Sequence, residues 1–232
     1  MKILIIGATH GNELLGVKLY QKLLRERSDL LEHIDFLIGN PRAYAQKIRY
    51  TETDLNRSYN LDGNTYEHQR AKFVKNYIRL TEPNIVLDMH TTACKQPGCL
   101  IVGNLQGEMK QRFFRATHIS HILEVQPMHD ITSLGDNIVG YEVPNRDITA
   151  ELLDNIKNDI SRFINGTGAF SEKKCYKMTD KIYKKDVPPE IAKTFVNFQE
   201  HELGFIPIMT GQNSYKKQTD YLGFKAKRLE IC

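Results

Sequence analysis

The sequence predicts an α/β fold, with a mostly parallel or mixed sheet covered by helices on both faces and a small β-rich piece at the C-terminal end. Three observations carry that expectation. Short, continuously apolar runs recur along the chain, as in strands buried on both faces. Between them lie segments with apolar residues at helical spacing, the alternation that βαβ units produce. From about Lys173 onward the texture shifts to short β-like pieces punctuated by Gly and Asn.

Residues 2–6 form the first apolar run, and Gly7 behind it opens a turn that would face a ligand. Residues 14–25 then place Leu15, Val17, Leu19, Leu23 and Leu24 among polar residues at helical spacing, and residues 34–38 read as the next strand. Across residues 66–80, Phe73, Val74, Tyr77 and Ile78 share one helical face, after which Glu82-Pro83 breaks the helix. Residues 84–89 are another buried strand with His90-Thr91-Thr92 at its tip. Further strands are expected at 99–102, 121–125 and 139–143, the last holding a lone Glu142, followed by an amphipathic helix over 147–163. In the C-terminal part, residues 194–198 and 205–209 are the strand-like pieces. The expected division is a catalytic domain over 1–172 and a small β-rich subdomain over 173–232.

The 32 basic residues exceed the 28 acidic ones by only four, and they are scattered. That balance argues against a nucleic-acid partner and suits a small anionic substrate. The N-terminal apolar run is too short for a membrane span or a secretory signal, so the expectation is a cytoplasmic protein without a membrane partner. Cys94, Cys99, Cys175 and Cys232 show no CxxC spacing and read as reduced thiols.

In such a sheet, ligands gather at the carboxyl ends of the strands, and His10 and His90 both fall there. His10-Gly-Asn-Glu13 sets an imidazole and a carboxylate three residues apart at a strand-to-helix turn. Together with His90 they make a three-ligand set with a position left for water, as a catalytic zinc requires. The plain alternative is a Glu13 that only charges a helix N-terminus, beside histidines bonded to backbone.

The ordered motifs Gly7-Ala-Thr-His-Gly-Asn-Glu13, Asn40-Pro-Arg42, Arg49, Asp54-Leu-Asn-Arg57, Asp88-Met-His90 and Gly140-Tyr-Glu142-Val143 resemble those of the aspartoacylase and succinylglutamate desuccinylase family, within the zinc carboxypeptidase-like superfamily. The likeness runs from Met1 to about Phe163. It implies one Zn2+ per chain on His10, Glu13 and His90, and hydrolysis of the amide bond of a small N-acyl amino acid. It further implies that Glu142 is the catalytic glutamate, moving a proton from the attacking water to the leaving amine. Arg49 takes the position that polarises the scissile carbonyl, and Asn56 and Arg57 match the pair that holds a substrate carboxylate. Tyr215 corresponds to a substrate-contacting tyrosine from the C-terminal part. Asp88, two residues before His90, either orients that ring or is a solvated strand-end aspartate.

One departure stands out. Family members acting on N-acetylaspartate carry an arginine shortly before the catalytic glutamate, whereas residues 118–137 contain neither arginine nor lysine. Arg146 or Lys216 are the candidates to replace it. Two other readings keep the same metal logic: a zinc carboxypeptidase acting on short peptides, and a non-catalytic metal- or ligand-binding relative. A nucleotide-binding turn after residue 6 is excluded, because the G-x-G-x-x-G spacing is missing and Glu13 would sit where phosphate needs bare amides.

Overall fold

The computed structural model describes residues 1–169, 172–211 and 219–230. Its nine strands, in chain order, are β1 (Ile3–Gly7), β2 (Ile34–Ile38), β3 (Ile85–Thr92), β4 (Cys99–Val102), β5 (His121–Glu124), β6 (Ile138–Pro144), β7 (Lys174–Tyr183), β8 (Ile206–Ile208) and β9 (Tyr221–Arg228). They form one mixed sheet in the order β2-β1-β3-β6-β4-β5-β7-β9-β8. The half made of β2, β1, β3 and β6 is parallel, β4 runs antiparallel to β6, and β5 and β7 follow β4 in parallel. Residues beyond 173 supply β7, β8 and β9, which continue this same sheet.

Five helices pack on the sheet or frame the site: α1 (Leu15–Arg25), α2 (Pro41–Gln46), α3 (Tyr66–Thr81), α4 (Glu108–Ala116) and α5 (Ala150–Asn165). Strand alternation decides what each covers. Ile3, Ile5, Leu87 and Val139 point to one face and pack with Leu19 of α1, Phe113 of α4 and Ile160 of α5. Leu4, Ile6, Val86 and Ile138 point to the other face and pack with Ala71 and Val74 of α3. Farther along that second face, Cys99, Leu123, Tyr176, Ile208 and Ala226 form a third cluster. Asp88, His90, Gly140 and Glu142 continue the rows of Val86 and Ile138, so they lie on this second face, next to the third cluster.

Most expected elements are present, with differences that have physical causes. The strand expected to stop at residue 89 runs to Thr92, so His90 is held by the sheet ladder and not by a loose tip. Residues 194–198 do not form a strand. The buried Asn197 side chain holds them as a turn, donating to the carbonyls of Lys95 and Thr210 and accepting from the Thr210 amide. Cys94 and Cys99 are buried thiols outside any disulfide, whereas Cys175 is disulfide-bonded, against the expectation of reduced thiols throughout. Among the described residues no helix is long and apolar enough to cross a membrane.

Candidate metal centre and active-site cleft

The chain leaves β1 through Ala8, whose positive φ of 54° turns the backbone out of the sheet. Thr9 then ties the turn to β3, its hydroxyl donating to Asp88 Oδ1 at 2.6 Å. Gly11 lets α2 come close: a Cβ there would lie 2.1 Å from the Ala43 carbonyl carbon, and its amide donates to Arg49 O at 3.1 Å. These contacts aim His10 and Glu13 at His90 on the neighbouring strand.

The three side chains meet. One ligand atom from each of His10, Glu13 and His90 lies within 4.8 Å of the others, and all three residues are buried. Glu13 Oε1 is 2.7 Å from His10 Nδ1, and Oε2 is 3.0 Å from His90 Nδ1 and accepts the Thr91 amide at 3.0 Å. The outer ring nitrogens are also occupied, His10 Nε2 by Asp54 at 3.0 Å and His90 Nε2 by Asp88 at 2.6 Å. A carboxylate on Nε2 fixes the tautomer that leaves the Nδ1 lone pair facing inward, the arrangement metal-ligating histidines adopt. This donor set of two nitrogens and a carboxylate oxygen suits a small divalent cation such as zinc.

Electrostatics point the same way. Burial works to lower the pKa of His90, but Asp88 and Glu13 outweigh it and hold the value well above the usual histidine range. His10 is raised by Glu13 and Asp54 against the same burial. Glu13, although buried, is held far below the carboxylate range by the two imidazoles. Two rings that demand positive charge around one carboxylate make a place where a cation can replace protons.

Glu142 sits beside His90 in register on β6 and faces the same cleft. Burial pushes its carboxyl up to about 7, with His90 opposing and Glu13 reinforcing the rise. Arg49 is anchored through Nε and Nη2 to Asp54 Oδ2, at 3.2 and 3.0 Å, and its Nη1 lies 3.5 Å from Glu13 Oε1. Asn56 and Arg57 also line the cleft. Asn56 Oδ1 accepts the Ile131 amide and Arg57 Nη1 donates to the Asn56 carbonyl. The cleft encloses about 390 Å³, enough for a small molecule.

Comparison with known proteins now decides the family. The sequence model of the succinylglutamate desuccinylase/aspartoacylase catalytic domain matches residues 1–152. The chain belongs to that family. A probable aspartoacylase of Prochlorococcus marinus (strain MIT 9515) is 37% identical over 130 residues, 52% of this chain and 43% of the relative's length. The match therefore spans less than half of that curated relative. Among solved structures, the succinylglutamate desuccinylase from Chromobacterium violaceum superposes with a TM-score of 0.76 at 14% identity, covering 99% of this chain and 85% of the other. Murine aminoacylase 3 gives 0.73 at 18% identity, with 99% and 95% covered.

Within this family member the structure brings His10, Glu13, His90, Arg49, Asn56, Arg57 and Glu142 to one cleft. Tyr215 and Lys216 lie outside the described residues. Arg146 is exposed, pairs with Asp147 and is not one of the residues lining the cleft. Asp54 joins His10 to Arg49. Glu67 carries no signal of its role in the sequence. It is fully buried and accepts from Asn40 Nδ2 and from the amides of Thr51, Glu52 and Thr53, pinning the segment between Arg49 and Asp54. A glutamate in the first turn of α3 looks like an ordinary helix-dipole charge, so only the buried loop reveals its use.

Proposed function

We propose that the chain hydrolyses the amide bond of small N-acyl amino acids with one zinc ion per chain, releasing a carboxylate and a free amino acid. The observation that carries this reading is the buried His10-Glu13-His90 group with both outer ring nitrogens committed to aspartates, opening on a cleft that also holds Glu142. A zinc ion there would supply Lewis acidity to the acyl carbonyl and to water.

The protein's own groups supply the rest. Asp54 and Asp88 hold the two rings in the ligating tautomer. Glu142 takes the proton of the attacking water and returns it to the departing amine, a role that suits a carboxyl poised at about 7. Arg49, fixed by Asp54, stabilises negative charge developing on the acyl oxygen without having to reorganise. Arg57, with Asn56 beside it, receives the substrate carboxylate. Turnover of a panel of N-acetyl, N-succinyl and N-formyl amino acids, alongside metal analysis of the purified protein, tests the reading. Hydrolysis that needs the metal supports it, and a metal-loaded protein inert toward the whole panel overturns it.

A further inference from the structure

Among the described residues, the third apolar cluster is not closed off. Five of its partly buried members, Ile101, Val125, Met178, Met209 and Phe224, are also cleft-lining residues. The far wall of the cleft is thus the open edge of a hydrophobic core. Strand order explains its position: β4 lies next to β6, with Cys99 opposite Glu142 and Ile101 opposite Gly140, and β5, β7 and β9 carry the same face outward. Gly140, which also lines the cleft, adds no side chain at the near end beside Ile101. An apolar shelf therefore starts beside Glu142 and extends away from the metal ligands.

Among the described residues, the charges lining the cleft leave little on that shelf for a second substrate carboxylate. The described cationic side chains lining the cleft are Arg49, Arg57 and Lys181, apart from its histidines. Arg49 is committed to Asp54, and Arg57 belongs to the turn that carries Asp54, on the His10 side. Lys181 stands exposed at the rim, its ammonium 4.9 Å from the Tyr221 ring centre.

We infer that the shelf receives a bulky apolar group of the substrate, so that the preferred substrates are N-acyl amino acids with one carboxylate and one aliphatic or aromatic substituent. This rests on the N-acyl hydrolase reading above. The substituent is the amino-acid side chain or the acyl chain, and the shelf chemistry is the same for both. Removing such a group from water is the source of selectivity, and pocket contacts of this kind discriminate by about 10- to 200-fold.

The test is kcat/KM of the zinc-loaded full chain on N-acetylglycine, N-acetylaspartate, N-acetylleucine, N-acetylphenylalanine and N-hexanoylglycine. The expected result is a preference of about tenfold or more for at least one apolar substrate over both N-acetylglycine and N-acetylaspartate. The leucine and phenylalanine arms against the hexanoyl arm tell which end of the substrate occupies the shelf. Met178→Gln, which nearly conserves volume, should lower the ratio of apolar to glycine turnover, and Val125→Thr, which keeps shape, should lower it in the same direction. N-acetylaspartate as the best substrate, or ratios unmoved in both variants, would overturn the inference and leave the hydrolase reading intact. Calorimetric binding of N-acetylphenylalanine and N-acetylaspartate to the same protein separates the two failures. Tighter binding of the former with no turnover of any substrate supports the shelf and contradicts the hydrolase.

Discussion

The carboxylate of Asp54 lies 3.0 Å from Nε2 of His10, across 44 residues of sequence, and through its other oxygen it holds Arg49. One aspartate therefore orients a metal-ligand ring and the guanidinium proposed to meet the substrate. Asp54→Asn removes the anionic acceptor from both. Zinc affinity is expected to fall about 10- to 100-fold, measured by competition with a chromophoric chelator, and kcat to fall as well. Unchanged affinity would mean that Asp54 serves only the local turn.

Glu142→Gln keeps shape and removes the base. General acid–base catalysis contributes about 10²- to 10⁴-fold, so kcat should drop by at least the lower figure while zinc content holds. A near-normal kcat would assign the proton to another residue. The metal-free protein offers a second readout. Because burial raises the Glu142 carboxyl from 4.5 to about 7, its contribution to stability is complete below pH 4.5 and is lost as pH rises through 7. Urea unfolding of metal-free protein should show the variant gaining on the wild type across that window and levelling off above it.

Arg49 and Arg57 should separate kinetically. Arg49→Ala is expected chiefly to lower kcat, because charge on the acyl oxygen develops in the transition state. Arg57→Ala should chiefly raise KM, since a carboxylate clamp holds ground and transition states alike. Steady-state kinetics on the best N-acyl substrate would show the split. Equal effects on both constants from both variants would contradict it.

How much of this was legible in the sequence follows from the range of the forces involved. Strands β1, β2 and β4 and helices α1 and α3 are visible because burial on the sheet writes its period locally into residues such as Leu15, Leu19, Leu23 and Val74. The ligand set was readable because His10 and Glu13 share one turn and His90 ends an apolar run. Asp54 and Glu67 were not, because what they do depends on contacts spread over tens of residues. Short α4, rich in charge outside Phe113 and Phe114, offers too few periodic positions to stand out. The stretch over 194–198 misleads for the opposite reason: its β-branched and aromatic residues suggest a strand, but the Asn197 side chain supplies hydrogen bonds in place of a ladder.

The central claim is that His10, Glu13 and His90 bind a catalytic divalent ion. Its most direct test is calorimetric titration of zinc into metal-free protein, with His90→Ala in parallel. The account predicts one site per chain in the wild type and its loss, or a large weakening, in the variant. No binding by the wild type, or undiminished stoichiometric binding by His90→Ala, would contradict it.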